Sequence, residues 1–220
     1  MILGEQQIGR PEKFKVAILV PTVPGNENTL MDCLCHIITN SKNYDYEIIV
    51  YKNNFEGYTP AINKLITQAF SIPDIQAVFM LNDDINIQDE EWLSKFIEAI
   101  KENTGVVCPL SHWRNEHCSM GFCLMPRPVL EQMKAEEGNY FDERFKILNW
   151  DDVDMSVRLQ EAGYELVKIN DHNKPNKPMF HHKGSLSTKM YTPAMVEEMK
   201  QNKFRFKEKW KGTRWEKKWN

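Results

Sequence analysis

Short apolar runs alternate with segments of helical periodicity over the first half of this 220-residue chain. The runs have the length of strands, are rich in β-branched residues and span residues 14–20, 46–51, 77–81 and 105–110. Between them, apolar residues recur three and four positions apart, which indicates helices that begin near Asn26 or Asn28 and near Asp89. This alternation predicts a mostly parallel central sheet with helices on both faces, in a single α/β domain.

The pattern is less regular after residue 110. We predict strands at residues 119–125 and 164–169, a helix at 128–136, and a further helix that opens at Asp151 and ends at Gly163.

A first acidic cluster, Asn82-Asp83-Asp84, directly follows the apolar run 77–81. Side chains at the carboxyl end of a buried strand face the crevice in which α/β sheets bind ligands. Hard oxygen ligands at such a place suit Mg²⁺ or Mn²⁺, and these ions commonly neutralise a diphosphate. The alternative interpretation is a turn rich in Asn and Asp that only ends the strand.

A second acidic cluster, Asp151, Asp152 and Asp154, opens the later helix. Asp154 and Arg158 are four positions apart and are predicted to pair on one helix face. Acidic residues in a first turn also complement the helix dipole, which would be a structural role. Three carboxylates in four residues exceed that need, so we expect Asp151 or Asp152 to face a cleft and accept a proton from an acceptor hydroxyl.

Adjacent histidines, His181 and His182, follow a short predicted strand and are candidate metal or phosphate ligands, or structural residues. The sequence contains no glycine-rich phosphate loop. Phosphate recognition is therefore expected to involve the metal ion and loop groups.

Composition is that of a soluble globular protein, with 41% apolar and 27% charged residues. No apolar run reaches the roughly 18 residues of a membrane span, and the first 15 residues lack a signal-peptide core. The five cysteines have no disulfide-framework spacing, and the spacing of His112, His117, Cys118 and Cys123 fits no usual zinc pattern. We expect a cytoplasmic protein without a transmembrane segment.

The C-terminal segment, residues 199–220, is basic and aromatic. It contains nine Lys or Arg residues against two Glu, a net charge of +7 in a chain whose total is −3. Its aromatic residues are Phe204, Phe206, Trp210, Trp215 and Trp219. This composition suits nucleic acid or an anionic membrane surface, and equally a terminal amphipathic helix whose aromatic residues pack on the domain.

Together these motifs resemble glycosyltransferase family 2, the nucleotide-sugar transferases of the GT-A (Rossmann-like) fold, from about Lys15 to Ser187. Residues 17–22 resemble the opening strand and its donor-base loop, and Asn82-Asp83-Asp84 stands where the family has its DXD metal motif. The most specific similarity is a block formed by Phe141-Asp142-Glu143-Arg144-Phe145, Asp151-Asp152-Val153-Asp154, Arg158-Leu159 and Gly163-Tyr164.

The resemblance implies a metal-dependent, inverting glycosyltransferase that moves a sugar from a nucleotide-sugar donor to an acceptor hydroxyl. Asp152 would be the catalytic base, next to Asp151. Mn²⁺ or Mg²⁺ would be held by Asp84, Asn82 and His182, or less readily His181. The donor would contact Pro21, Thr22, Lys52, Asn53, Asn82 and Asp83. Gly121 resembles the glycine of the strand before the acceptor region.

The family implies a nucleotide-binding half at about residues 14–104 and an acceptor-binding half at about 105–190, within a domain of residues 1–198 that the basic tail follows. Trp113 and Trp150 are candidates for a sugar platform, or core residues. The family usually has an Asp that reads the base at the end of the second strand, and Lys52 and Asn53 stand there instead. The base, commonly uracil, is therefore left open, and Lys52 is a candidate phosphate contact.

The acceptor and the class of activity are left open by the sequence. A glycan or a lipid-linked saccharide is the default acceptor for the family, and the basic tail allows a hydroxymethylated base in phage-type DNA or peripheral membrane contact. The alternatives are a catalytically silent carbohydrate- or nucleic-acid-binding domain and a nucleotidyltransferase. The latter would need a glycine-rich, basic loop after the first strand, for which Pro24-Gly25-Asn26-Glu27 is a poor match.

Overall fold

A computed structural model describes residues 14–110, 113–114, 117–134, 138–170, 172–174, 177–184 and 187–218. The strands are β1 (Lys15–Thr22), β2 (Tyr46–Lys52), β3 (Ile75–Leu81), β4 (Ile85–Ile87), β5 (Thr104–Pro109), β6 (Trp113–Arg114), β7 (His117–Cys118), β8 (Phe122–Pro126), β9 (Glu165–Ile169), β10 (His172–Lys174), β11 (Lys177–Pro178) and β12 (Phe180–His182). The helices are α1 (Glu27–Asn40), α2 (Tyr58–Phe70), α3 (Trp92–Glu98), α4 (Arg127–Gln132), α5 (Asp151–Glu161), α6 (Pro193–Lys209) and α7 (Arg214–Lys218). A short 3₁₀ turn spans Ser187–Met190.

Six strands form the central sheet in the order β2-β1-β3-β8-β5-β9. Pairing is parallel between β1 and its neighbours β2 and β3, and between β5 and β9. Only β8 runs against the other five strands of this sheet, because it pairs antiparallel with both β3 and β5. The predicted mostly parallel sheet in a single α/β domain is confirmed, with one antiparallel strand inserted beside β3.

Alternating side chains of β1 enter two separate cores. Ala17 and Leu19 pack with α2 residues such as Leu65 on one face, whereas Ile18 and Val20 pack with Ile37 of α1 and others on the opposite face. Successive residues of a strand point to opposite faces, so a strand covered on both sides is apolar at every position. This is the reason for the uninterrupted apolar run at residues 16–20, and helices cover both faces as predicted.

The C-terminal helices pack on the second acidic helix. Phe206 of α6 and Trp215 of α7 are almost fully buried against Phe145, Val153 and Val157. Burial of a side chain of this kind stabilises a fold by roughly 1.5 to 3 kcal/mol. Within the described residues, the basic segment is therefore an amphipathic helical pair whose buried aromatic residues fix it to the domain, although Phe204 is 62% exposed. Trp219 lies outside these residues.

Among the described helices, none is long and apolar enough to cross a membrane.

Candidate active site

The first acidic cluster lies in an open cleft at the carboxyl ends of β1 and β3. The cleft has about 660 Å³ of empty space, and its walls include six of the predicted donor and metal residues: Pro21, Thr22, Asn53, Asn82, Asp83 and Asp84. Adjacent parallel strands place their carboxyl ends at the same edge of a sheet, so residues about 60 positions apart in sequence meet here.

Asp83 ties the ends of β1 and β3 together. Its Oδ2 accepts hydrogen bonds from Thr22 Oγ1 at 2.6 Å and from Asn26 Nδ2 at 3.2 Å. Burial raises the pKa of Asp83, and the two hydrogen bonds oppose that rise. The sequence had suggested that the side chain of Asn26 caps α1. In the structure this side chain is turned to Asp83 and makes no capping hydrogen bond.

Asp84 is 5% exposed and lies beside His182. Its Oδ2 is 3.2 Å from Nε2 of His182, because β12 pairs antiparallel with β4 and places His182 opposite Ile85. The Oδ1 atom of Asp84 is buried and has no hydrogen-bond partner among the described residues. Leaving a buried carboxylate oxygen without a donor is costly, so such an atom is expected to bind an ordered water or a cation.

The residues around Asp84 fit a divalent cation that completes its shell from a ligand. No group of three His, Cys, Asp or Glu side chains that could hold a metal occurs in the described part of the chain. Asp84 and His182 with the amide of Asn82 are a sparse donor set, of the kind that relies on phosphate oxygens and water. The family resemblance implied that these three residues hold the metal ion, and the structure brings Asp84 and His182 into contact.

Asp151, the first residue of α5, is buried. Burial and, to a smaller extent, the neighbouring Asp152 raise the pKa of Asp151 to about 8, so it holds a proton at neutral pH. The Asp152 side chain is 26% exposed, and its Oδ2 lies 3.5 Å from Nε2 of His117. Its Oδ1 accepts the backbone N–H of Val153 at 2.8 Å. Of the two, Asp152 is the one that solvent can reach.

The predicted pairing of Asp154 with Arg158 is present as a charge attraction, but among the described residues it includes no hydrogen bond. Oδ2 of Asp154 accepts a hydrogen bond from Lys209 Nζ at 2.7 Å, and Oδ1 accepts one from Trp210 Nε1 at 2.9 Å. Arg158 instead donates to the backbone carbonyls of Tyr140 and Met133. The pairing rule for positions four apart applies to exposed helix faces, whereas Asp154 is 1% exposed and faces the C-terminal helix.

A short segment, residues 117–121, connects the two acidic clusters. At one end, Gly121 O accepts the N–H of Asn82 at 2.8 Å. At the other, Cys118 N donates to Ser156 Oγ of α5 at 3.1 Å. Between them, Met120 O accepts the hydroxyl of Tyr58, a residue of the cleft, at 2.7 Å. The segment therefore fixes α5 relative to the end of β3.

Tyr58 also lies near both acidic residues at the start of α5. Burial raises the pKa of its hydroxyl well above the usual range, and the carboxylates of Asp151 and Asp152 raise it further. Asp152 itself is not among the described residues that line the cleft, and Tyr58 is the lining residue that lies near it.

Three of the predicted site residues have other surroundings. Lys52 is absent from the residues that line the cleft, and its Nζ forms an ion pair with Glu27 at 2.7 Å. The ring of Trp150 is half-buried and lies 5.2 Å from that of Phe206, which is the core alternative rather than a sugar platform. Gly121 packs against Asn82, so that a Cβ on Gly121 would lie 2.4 Å from Asn82 Nδ2.

The backbone of Trp113 belongs to the two-residue strand β6, and its side chain lies outside the described residues. His181 is exposed on β12.

Sequence reasoning missed seven other residues that line the cleft. They are Phe55, Gly57, Tyr58, Ile147, Leu148, Tyr191 and Met195. Gly57 was the available signal: its φ is 107°, and a Cβ there would lie 2.7 Å from the backbone nitrogen of Ile147. Glycine permits such a conformation and such a close approach of two backbones.

The loop before α5 is strained. Ile147, Asn149 and Trp150 have φ values of 66°, 73° and 71°. A left-handed conformation costs a residue other than glycine roughly 1 to 3 kcal/mol and persists only where the surroundings enforce it, often at functional sites. No sequence signal indicated this loop, because glycine stands at none of these positions.

Comparison with solved structures identifies the fold. The chain is similar to the catalytic domain of Drosophila β1,4-galactosyltransferase 7 in complex with xylobiose, with a TM-score of 0.61, 17% identity, and coverage of 80% of this chain and 73% of that one. It is similar also to a mutant of that enzyme in complex with manganese, UDP-Gal and xylobiose, with a TM-score of 0.60, 16% identity and the same coverage. No protein-family model and no curated protein matches the sequence. The chain therefore has the GT-A fold that the resemblance implied.

Proposed function

We propose that this protein is a metal-dependent glycosyltransferase that uses a nucleotide-sugar donor. The observation that supports this most directly is the buried, unsatisfied Oδ1 of Asp84 beside His182, seen within the described residues at the cleft of a GT-A fold. A turn that only ended a strand would need neither a histidine partner nor an unsatisfied carboxylate oxygen. The similar Drosophila enzyme is described in complex with manganese and UDP-Gal, which favours Mn²⁺ over Mg²⁺.

Asp84 and His182, with Asn82, would hold the cation. When bound, the cation would neutralise the diphosphate and stabilise the departing nucleoside diphosphate. Asp83 keeps the ends of β1 and β3 in register, and its hydrogen bonds to Thr22 and Asn26 leave it less available for a ligand.

Asn53 would contact the nucleoside. Its Oδ1 accepts the backbone N–H of Glu56 at 3.0 Å, so the side-chain oxygen is engaged and the Nδ2 group is the one left to donate. An amide donor suits a carbonyl oxygen or a ring nitrogen of the base. Lys52 is not proposed as a phosphate contact, because Glu27 already pairs with it.

Asp152 would act as the general base. It would accept the proton of the acceptor hydroxyl while that oxygen forms a bond to the anomeric carbon and the bond to the diphosphate oxygen breaks. This single displacement inverts the anomeric centre. Asp151 is protonated at neutral pH, so it adds no negative charge beside Asp152.

A saccharide hydroxyl is the proposed acceptor. The Drosophila enzyme is described in complex with xylobiose. In this chain, Lys209, Trp210 and Trp215 of the basic segment take part in packing on the domain. No observation favours a DNA or membrane partner, and both stay predictions.

The experiment is a donor and acceptor screen. The protein is incubated with Mn²⁺ and UDP-, GDP-, CDP- or dTDP-linked sugars, with and without xylobiose, and nucleoside diphosphate release is measured. We expect release that requires Mn²⁺, is lost with EDTA and increases with acceptor, and a product of inverted anomeric configuration by NMR. A chain that binds a nucleotide sugar without any release is instead a silent binding domain.

A further inference from the structure

Asn202 of α6 is fully buried and hydrogen-bonds to the backbone of the loop before α5. Its Nδ2 donates to the carbonyl oxygens of Lys146, Leu148 and Asn149 at 2.8, 3.0 and 3.0 Å. Its Oδ1 accepts the N–H of Lys146 at 3.1 Å and a hydrogen bond from Arg205 at 2.6 Å. A single side chain thus satisfies four backbone groups of one short segment, residues 146–149.

These hydrogen bonds act where the loop is strained. Ile147 and Asn149 have left-handed backbones, and the carbonyl groups that Asn202 binds lie next to or at these residues. A β-branched residue such as Ile147 adopts this conformation only when its surroundings impose it. Asn202 supplies these contacts from α6.

The same segment belongs to both halves of the proposed site. Ile147 and Leu148 line the cleft, and Ile147 O accepts the N–H of Tyr58 at 2.8 Å. Three residues later, α5 begins with Asp151 and Asp152, with no intervening residue after the left-handed Trp150. A change in the loop would therefore move the cleft wall and the start of the helix together.

A second contact from α6 fixes the same helix. Lys209 Nζ and Trp210 Nε1 bind the two carboxylate oxygens of Asp154, one turn or less from Asp152. The C-terminal helix thus holds the loop at Asn202 and the first turn of α5 at Asp154. Only the first of these contacts reaches the residues that line the cleft.

We infer that Asn202 is a positioning residue for the proposed transfer, one that holds the loop 146–150 so that Asp152 stays aligned with the donor cleft. This inference rests on the proposed function. It gives helix α6 of the basic segment a role in the reaction, and this role requires neither nucleic acid nor a membrane. Misplacement of a reacting group by about 1 Å can lower a rate by about 100-fold, so the expected effect is on turnover.

The test compares Asn202→Asp with Gln201→Glu. Both change an amide to a carboxylate of the same size on α6, but Gln201 is exposed and Asn202 is buried. Asn202→Asp removes the N–H donors and places negative oxygens against three carbonyls. Turnover and donor binding are measured well below the melting temperature of each variant, so that all molecules are folded. We expect kcat of Asn202→Asp to fall about 10- to 100-fold, with donor Kd in Mn²⁺ within about threefold of wild type.

An unchanged kcat in folded Asn202→Asp would overturn the inference, as would an equal loss in Gln201→Glu. If Asn202→Asp does not fold, Asn202→Ser is measured in the same way, because serine cannot reach all of these carbonyls. As a rescue, Asn149→Gly in the Asn202 variant removes the left-handed cost at an exposed position and should restore part of kcat. No turnover in wild-type protein would instead contradict the proposed function itself.

Discussion

Nε2 of His182 lies 3.2 Å from Oδ2 of Asp84, although the two residues are 98 positions apart in the sequence. The antiparallel pairing of β12 with β4 produces this contact, and the N–H of Lys183 extends it by donating to Asp84 O at 2.9 Å. Together with the unsatisfied Oδ1 of Asp84 in this part of the chain, the pair would supply the protein ligands of the proposed cation site, and a diphosphate and water would supply the others.

Replacement of His182 by Gln is expected to weaken metal-dependent donor binding. The apparent affinity for the bound nucleoside diphosphate in Mn²⁺ should fall at least about tenfold, the lower end of what loss of a group supporting a metal site costs. Titration calorimetry with and without EDTA measures the change. The control is His181→Gln, at an exposed position on the same strand. Equal losses in both variants would argue against a specific role for His182.

Replacement of Asp152 by Asn is expected to abolish turnover but keep donor binding. A missing general base lowers kcat by about 100- to 10,000-fold, whereas the residues proposed to hold the cation lie beside β4 and on β12 rather than on α5. Nucleoside diphosphate release and donor Kd are measured on the same preparation. Glu165→Gln makes the same chemical change at an exposed position of β9 and should be neutral. Full turnover in Asp152→Asn would assign the base to another residue.

Replacement of Asp151 by Asn is expected to flatten the pH dependence of stability. The folded-state pKa of Asp151 is raised to about 8, so the folded protein retains a proton that the unfolded chain loses near pH 4. Stability from this residue is present below that unfolded pKa and is lost as pH rises toward 8. The neutral amide in Asp151→Asn would mimic the protonated carboxyl group. Urea unfolding of wild type and variant from pH 5 to 8 should show their difference growing with pH in favour of the variant.

Replacement of Gly121 by Ala is expected to displace Asn82. The added Cβ would lie 2.4 Å from Asn82 Nδ2, closer than two such atoms can approach, so the amide must move. Melting temperature and donor affinity in Mn²⁺ should both fall. The double variant Gly121→Ala with Asn82→Ala has no such clash and should melt no lower than Asn82→Ala alone. If the losses in melting temperature of the two single variants simply add in the double variant, the cost of Gly121→Ala does not come from a clash with Asn82.

Replacement of Lys209 by Met is expected to destabilise the fold strongly at neutral pH. Lys209 Nζ lies 2.7 Å from both Asp142 and Asp154, which are buried, and loss of one partner of such a pair costs about 3 to 5 kcal/mol. Arg144 and Lys209 together hold the pKa of Asp142 well below its usual range despite burial. The stability that Asp142 contributes in this way is present above the pKa that it has in the unfolded chain. It is lost as the pH falls through the lower pKa that it has in the folded protein.

The difference in unfolding free energy between wild type and Lys209→Met should therefore shrink as the pH falls, because the buried carboxyl groups of Asp142 and Asp154 take up protons at a higher pH in the variant than in wild type. Chemical unfolding at a series of pH values measures it. Lys211→Met removes an exposed lysine two positions away, 4.0 Å from Glu208, and should change stability by less than about 0.5 kcal/mol. A pH-independent loss in Lys209→Met would attribute its role to packing alone.

Local sequence patterns were sufficient to predict the sheet and the first acidic cluster. A strand buried on both faces needs an apolar residue at every position, so β1 and β3 can be recognised from their own sequences. Because the two strands are adjacent and parallel, their carboxyl ends bring Thr22 and Asp83 together. The antiparallel direction of β8 was not predictable, since strand direction depends on the path of the connection rather than on composition.

The surroundings of the second cluster depend on contacts that are distant in sequence. Asp154 accepts a hydrogen bond from Lys209 across 55 positions rather than from the nearby Arg158. No glycine in the sequence indicates the left-handed backbones of Ile147 and Trp150. Hydrogen bonds from Asn202 of α6 hold this loop in its conformation instead. Such features follow from packing, and local patterns alone cannot supply them.

The most direct test of the account is the thermal stability of the wild-type protein with UDP, GDP, CDP or dTDP, each with Mn²⁺ and with EDTA, beside Asp84→Asn. At a hundred times Kd, a ligand that binds only the folded state stabilises it by about 2.7 kcal/mol, which is readily seen. We predict that at least one nucleotide stabilises wild type only when Mn²⁺ is present, and that Asp84→Asn loses this effect. Absence of any metal-dependent stabilisation in wild type, or the same stabilisation in Asp84→Asn, would contradict it.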